Sequence, residues 1–104
     1  MDKLAALQEI LAMDPGNSFA RYGLAMEHIT KGNPEAALSE FDALIMHSPD
    51  YVPAYQMSAQ TLVTLGRIDA AQQRLDEGIA TAQRTGNQHA LAEMSAMREE
   101  LISR

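Results

Sequence analysis

The side chains that could carry acid–base or metal chemistry in this chain are three histidines, His28, His47 and His89, and two adjacent acid pairs, Asp76-Glu77 and Glu99-Glu100. Their spacing does not gather them. A helical metal motif needs ligands about one turn apart, and the histidines are far more widely scattered than that. His28 is expected to fill a position between helices, while His47 and His89 fall at helix ends and read as solvated. The acid pairs read as exposed charge. With no cysteine, a disulfide framework, a thiolate metal site and a redox motif are all excluded. Gly16, Gly32 and Gly66 are single helix-ending residues and form no phosphate loop. Neither a metal nor a cofactor is expected, and nothing points to an enzyme.

The remaining chemistry is recognition. From Tyr51 to Gly66 there is no Asp, Glu, Lys or Arg, although 21% of the chain is charged. The charges collect elsewhere and sum to a formal −6 at pH 7. That balance argues against nucleic acid and anionic membranes, which call for basic patches. No stretch reaches the roughly 18 to 20 apolar residues needed to span a bilayer. The start, Met1-Asp2-Lys3-Leu4, lacks a basic segment followed by a long apolar run. The expectation is a single cytoplasmic domain of 104 residues.

The elements that must position such a surface are legible from punctuation. Pro15 and Pro49, Ala25 and Ala59, Gly32 and Gly66, Ala37 and Ala71, and Ile45 and Ile79 each differ by 34 (49 − 15, 59 − 25, 66 − 32, 71 − 37, 79 − 45). The Gly and Pro matches weigh most, because the chain holds only 6 Gly and 4 Pro. A fixed step of this size means stacked copies of one supersecondary unit. Strand signals are nearly absent, so the units are helical. Six helices are predicted: about Asp2 to Met13; from Asn17 or Ser18 to Lys31; from a cap at Asn33 to near His47; from Pro53 to Gly66; about Ile68 to Arg84; and from a cap at Asn87 to about Ile102. Leu7, Phe41 and Leu75 fall at the same step, so the first, third and fifth helices are copies of one element. The predicted organisation is a half-repeat over 1–17, two helix–turn–helix repeats over 18–51 and 52–85, and a capping helix over 86–104.

These residues resemble the tetratricopeptide repeat. The first copy offers Leu24, Ala25, Gly32, Ala37, Phe41 and Pro49 at the pattern positions, and the second offers Tyr55, Ala59, Leu62, Gly66, Ala71 and Leu75. The resemblance implies an all-α, right-handed superhelical stack of antiparallel helix hairpins. Small residues at Ala25, Ala37, Ala59 and Ala71 fit a close approach of two helices, and Gly78 suggests a closer one. The departures are Arg21, His28 and Ser58, where apolar or aromatic residues are usual, and Gln83 in place of the closing Pro. Without that Pro the fifth helix can overrun. The last helix then either packs as the first helix of a third repeat or swings away at Gly86.

The family holds peptides or partner helices in a concave groove lined by the first helix of each repeat. Carried over, that places Phe19, Tyr22, Met26 and Ile29 on the groove from the first copy, and Pro53, Gln56, Met57, Gln60 and Val63 from the second. Met26 and Met57 suit core and groove equally; Phe19 and Tyr22 lean to the groove, because Leu24, Ala25 and His28 already form a core stripe. The family's carboxylate clamp of Lys, Arg and Asn has no counterpart, since Tyr22, Met26 and Met57 stand there. The implied role is an adaptor that binds an amphipathic helix or an extended apolar segment of a protein partner. The alternative is a homo-oligomer, such as a homodimer, assembled through the terminal helix by Leu91, Met94, Met97 and Leu101.

Overall fold

The computed structural model describes residues 2–103. It contains six helices: α1 (Lys3–Met13), α2 (Ser18–Thr30), α3 (Pro34–His47), α4 (Val52–Thr64), α5 (Ile68–Thr85) and α6 (Gln88–Ile102). Local chemistry sets where they begin. Asp2, Asn17 and Asn87 precede α1, α2 and α6, and each side-chain oxygen accepts the N–H three residues on: Ala5 at 2.8 Å, Ala20 at 2.9 Å and Ala90 at 3.1 Å. Each cap satisfies a donor that a helix start leaves free. At α3 the expectation of an Asn33 cap is corrected in part. Asn33 holds the cap position but its side chain makes no capping bond. Pro34 at the first position, which has no N–H to satisfy, and Glu35 in the first turn supply the start instead.

The ends explain the period. Gly32 and Gly66 take φ of 79° and 76°, a left-handed conformation that any Cβ would strain. Their N–H groups donate to Ile29 and Val63 carbonyls at 3.0 and 2.9 Å, and the following N–H groups of Asn33 and Arg67 donate to His28 and Leu62 at 2.8 and 2.9 Å. α3 stops at His47, just before Pro49. α5 has Gln83 at the matching place, runs on to Thr85, and stops only at Gly86. The caps of α2, α4 and α6 therefore stand at Asn17, Tyr51 and Asn87. The last helix starts two residues late against the 34-residue step.

Each helix packs on its chain neighbour, and α6 also reaches back to α4. It therefore does not swing away at Gly86. The architecture is an all-α, right-handed superhelical stack of antiparallel hairpins. Ala25 and Ala37 are fully buried in one cluster with Phe41, Leu44 and Ala54. Ala59 and Ala71 are fully buried in a second, which runs from Leu38 through Leu75 to Met94 and Leu101. A third, small cluster of Leu11, Ala20 and Leu24 joins α1 to α2.

Two sequence departures are structural. Ser58 is fully buried, and its hydroxyl donates to the Tyr55 carbonyl at 3.2 Å while accepting from Arg74 Nη1 at 2.9 Å. Arg74 also reaches Asp42 Oδ1 at 2.9 Å and Glu77 Oε1 at 3.1 Å. One guanidinium thus joins α3, α4 and α5. Gly78, in the middle of α5, admits a close approach. A Cβ there would lie 2.6 Å from Met94 Sδ and 2.7 Å from Tyr55 Cβ.

Two stability measurements follow. Gly78→Ala should lower the urea midpoint, by about 1–2 kcal/mol of stability, even though alanine is intrinsically the better helix former by about 1 kcal/mol. An equal or raised midpoint would show that the contact is relaxed. Arg74→Met keeps an aliphatic stem but removes the donor to Ser58, and should cost about 1–3 kcal/mol. In a Ser58→Ala background the same change should cost less.

Candidate partner-binding groove

α4 contributes a surface without formal charge, because Val52–Thr64 contains no Asp, Glu, Lys or Arg. Between α2 and α4 lies a depression of about 100 Å³ lined by Ile29, Pro34, Met57, Gln60, Thr61 and Thr64. Its two threonines are internally satisfied. Thr61 donates to the Met57 carbonyl at 2.7 Å and Thr64 to the Gln60 carbonyl at 3.2 Å. Their hydroxyl donors are thereby withdrawn from competition for a ligand. Between α4 and α6 a wider depression of about 350 Å³ is lined by Gln60, Val63, Thr64, Met97, Glu100 and Leu101. Gln60 and Thr64 line both, so the two hollows flank α4 side by side and together make an α2–α4–α6 strip.

The charges lie on the other elements. Arg67 pairs with Glu35, Arg74 with Asp42 and Arg84 with Asp50, each linking α5 or its start to the hairpin before it. Arg98 pairs with Asp76. Arg21 pairs locally, with Glu40 Oε2 and the Pro15 carbonyl, both at 3.3 Å. His89 is exposed beside Glu93 at 3.2 Å. Among the described residues, no group of three His, Cys, Asp or Glu is placed to hold a metal ion. Among the same residues, no helix is long and apolar enough to cross a membrane.

Comparison with known proteins identifies the family and the fold. The family model described as tetratricopeptide repeat matches residues 4–57 and again 28–94. The chain belongs to the tetratricopeptide repeat family. It is 24% identical to a TPR repeat-containing protein of Pseudomonas aeruginosa, over 94% of this chain and 93% of that protein. It is similar to a tetratricopeptide repeat domain protein from Salinibacter ruber solved by NMR, with 34% identity and a TM-score of 0.81, covering 85% of this chain and 89% of that one. It shares its fold with PcrH, solved in complex with the chaperone binding region of PopD, at a TM-score of 0.90 and 20% identity over 97% of this chain and 77% of that one.

Within this tetratricopeptide fold, the residues expected to line the groove divide into four groups. Ile29, Met57 and Gln60 meet in the first hollow, and Gln60 and Val63 in the second. Phe19 and Met26 lie on the other flank of α2, in a cleft shared with α1. Tyr22 is half-buried, its ring 5.9 Å from Phe41 and 5.6 Å from Tyr51. Gln56 is half-buried on α4, and Pro53 is exposed. Met26 and Met57 pack against the Phe41 cluster while each also lines a hollow, so both serve core and surface. Reading the sequence for apolar types passed over Thr61 and Thr64. Their signal was spacing: they stand four and seven residues after Met57, on one helix face.

Burial raises the pKa of the Tyr22 phenol, and the nearby Tyr51 adds to the effect. The folded value exceeds the unfolded one, near 10, so this contribution to stability is complete below that pH and is lost as pH climbs through the folded value. Absorbance titration should show a tyrosinate signal developing above the ordinary tyrosine range, and Tyr22→Phe should remove it. A titration unchanged by Tyr22→Phe would place the late signal elsewhere.

Proposed function

We propose that this chain is a non-catalytic adaptor that holds an uncharged, largely apolar segment of a protein partner along the α2–α4–α6 strip. The observation that carries the reading is the hollow between α2 and α4, in which Ile29, Met57 and Gln60 meet without a formal charge. The wall of this hollow is neutral, so it costs little to desolvate and offers no reward to an acidic or basic tail; Glu100 enters only at the α6 side, in the second hollow. Flexible methionine at Met57 suits adaptable apolar contact. The fold neighbour PcrH, solved with the chaperone binding region of PopD, is a precedent for a fold of this kind engaging a segment of another protein.

Magnitudes shape the partner. One apolar side chain fully buried contributes about 1.5–3 kcal/mol, while micromolar affinity needs about 8 kcal/mol beyond the cost of association. The ligand must therefore fill adjacent hollows together. Assembly through α6 is the weaker reading, because Met94 and Leu101 are buried inside their own chain and Leu91 and Met97 pack against the same cluster.

Gln60, exposed and shared by both hollows, is the place to test. Gln60→Arg should leave the thermal melt within about 0.5 kcal/mol yet weaken capture of a native partner about tenfold or more. Quantitative mass spectrometry of affinity purifications would read this, with the α5 surface change Gln83→Arg as control. Equal recovery by the wild type and Gln60→Arg would sink the groove reading.

A further inference from the structure

The cleft between α1 and α2 has the pattern of a helix seat. Inside the molecule, Ala37, Phe41 and Leu44 of α3 lie fully buried in the cluster α3 shares with α2. Thirty-four residues earlier, at the matching places on α1, stand Lys3, Leu7 and Ile10. Lys3 is exposed, Leu7 half-buried and Ile10 44% exposed. The other wall repeats the same relation. Gly23, Met26, Glu27 and Thr30 line this cleft of about 320 Å³, and each stands 34 residues before a liner of the α2–α4 hollow: Met57, Gln60, Thr61 and Thr64. The surface therefore continues an interface that the chain already makes internally, and what fits that interface is a helix.

The two ends of the stack differ. Among the described residues, Ile10, Met13 and Phe19, with exposures of 44%, 89% and 80%, are three of the five large apolar side chains left exposed, and all three belong to α1 and α2. The exposed residues of α6 are mainly small or charged, including Ala92, Glu93, Ala96 and Glu99, with Ile102 the exception. The exposed side chains of α1 mix Lys3, Gln8 and Glu9 with the apolar Ile10, Ala12 and Met13, so this face is the more apolar of the two.

We propose that two copies of this chain associate through this cleft, α1–α2 against α1–α2, about a two-fold axis. An apolar end meets its match on the same end of a second copy, whereas the α6 face offers too little apolar surface to extend the stack head to tail. The charges at the cleft are self-complementary, since it holds one Lys3 and one Glu27, and a two-fold lets each copy's lysine face the other's glutamate. Such an isologous contact closes at two copies. Because the cleft lies on the opposite flank of α2 from Ile29, the α2–α4–α6 strip stays open in the dimer.

The seat is small. Eleven residues of α1 extend about 16 Å, and two helices side by side span about 20 Å, so each copy contributes on the order of 300 Å². A standard interface takes about 800 Å² per partner. The dimer is accordingly weak and dependent on concentration.

Sedimentation and light scattering of the full chain from about 10 µM to about 1 mM test this. The expected result is a weight-average mass that climbs from the 11.4 kDa monomer toward twice that value. Phe19→Asp, at a side chain exposed enough to leave the melt unchanged, should hold the protein at monomer mass, and Ile102→Asp at the far end should not. A wild-type chain that stays monomeric throughout overturns the proposal and leaves the seat to a helix of another protein. Growth beyond a dimer, or a dimer lost in Ile102→Asp but kept in Phe19→Asp, overturns it as well.

Discussion

Everything in this molecule depends on how closely its helices approach at four alanines. Ala25 and Ala37 share one buried cluster, Ala59 and Ala71 another, and all four have no exposed surface. A larger side chain at any of them would open its hairpin. The distance set there fixes how the next hairpin lies on the last, and so fixes the hollows between α2, α4 and α6. Gly78 carries the same logic further, admitting Met94 and the Tyr55 stem where a methyl group would collide. The glycine weakens its own helix, and the docking of α6 offsets that cost.

Charge is arranged around this apolar framework without intruding on it. Three arginines of the second repeat reach back to acids of the first: Arg67 to Glu35, Arg74 to Asp42 and Arg84 to Asp50. Exposed pairs of this kind contribute about 0–1 kcal/mol each, so they add little to the stability that the buried clusters supply. Arg74 is the exception, because it also satisfies the buried hydroxyl of Ser58. The result is an acidic protein whose central helix presents no charge of its own.

The architecture was legible because glycine, proline and alanine carry strict backbone and packing demands, and the 34-residue step repeated them. Helix ends at Gly32 and Gly66 fall where positive φ requires them. The position of α6 was not legible, because the loss of proline at Gln83 permits two geometries and only tertiary contact selects one. Tyr22 shows a second limit. Periodicity gives it a face but cannot say which neighbour covers that face, and here Phe41 and Tyr51 do so in part. Ser58 was visible only as a departure, since its partner Arg74 lies 16 residues away on another helix. The hollows themselves arise between helices, so no single helix pattern contains them.

The three buried clusters are unequal, and the one that ties α1 to α2 holds only Leu11, Ala20 and Leu24. In a chain where each unit touches little but its neighbours, stability is a local quantity. Amide protons should therefore exchange in a gradient, fastest in α1 and slowest around Leu75 and Met94. On that pattern the molecule should open from its first helix inward before its far end does. A segment captured against α4 and α6 would rest on the rigid part, and α1 would be the part free to come and go.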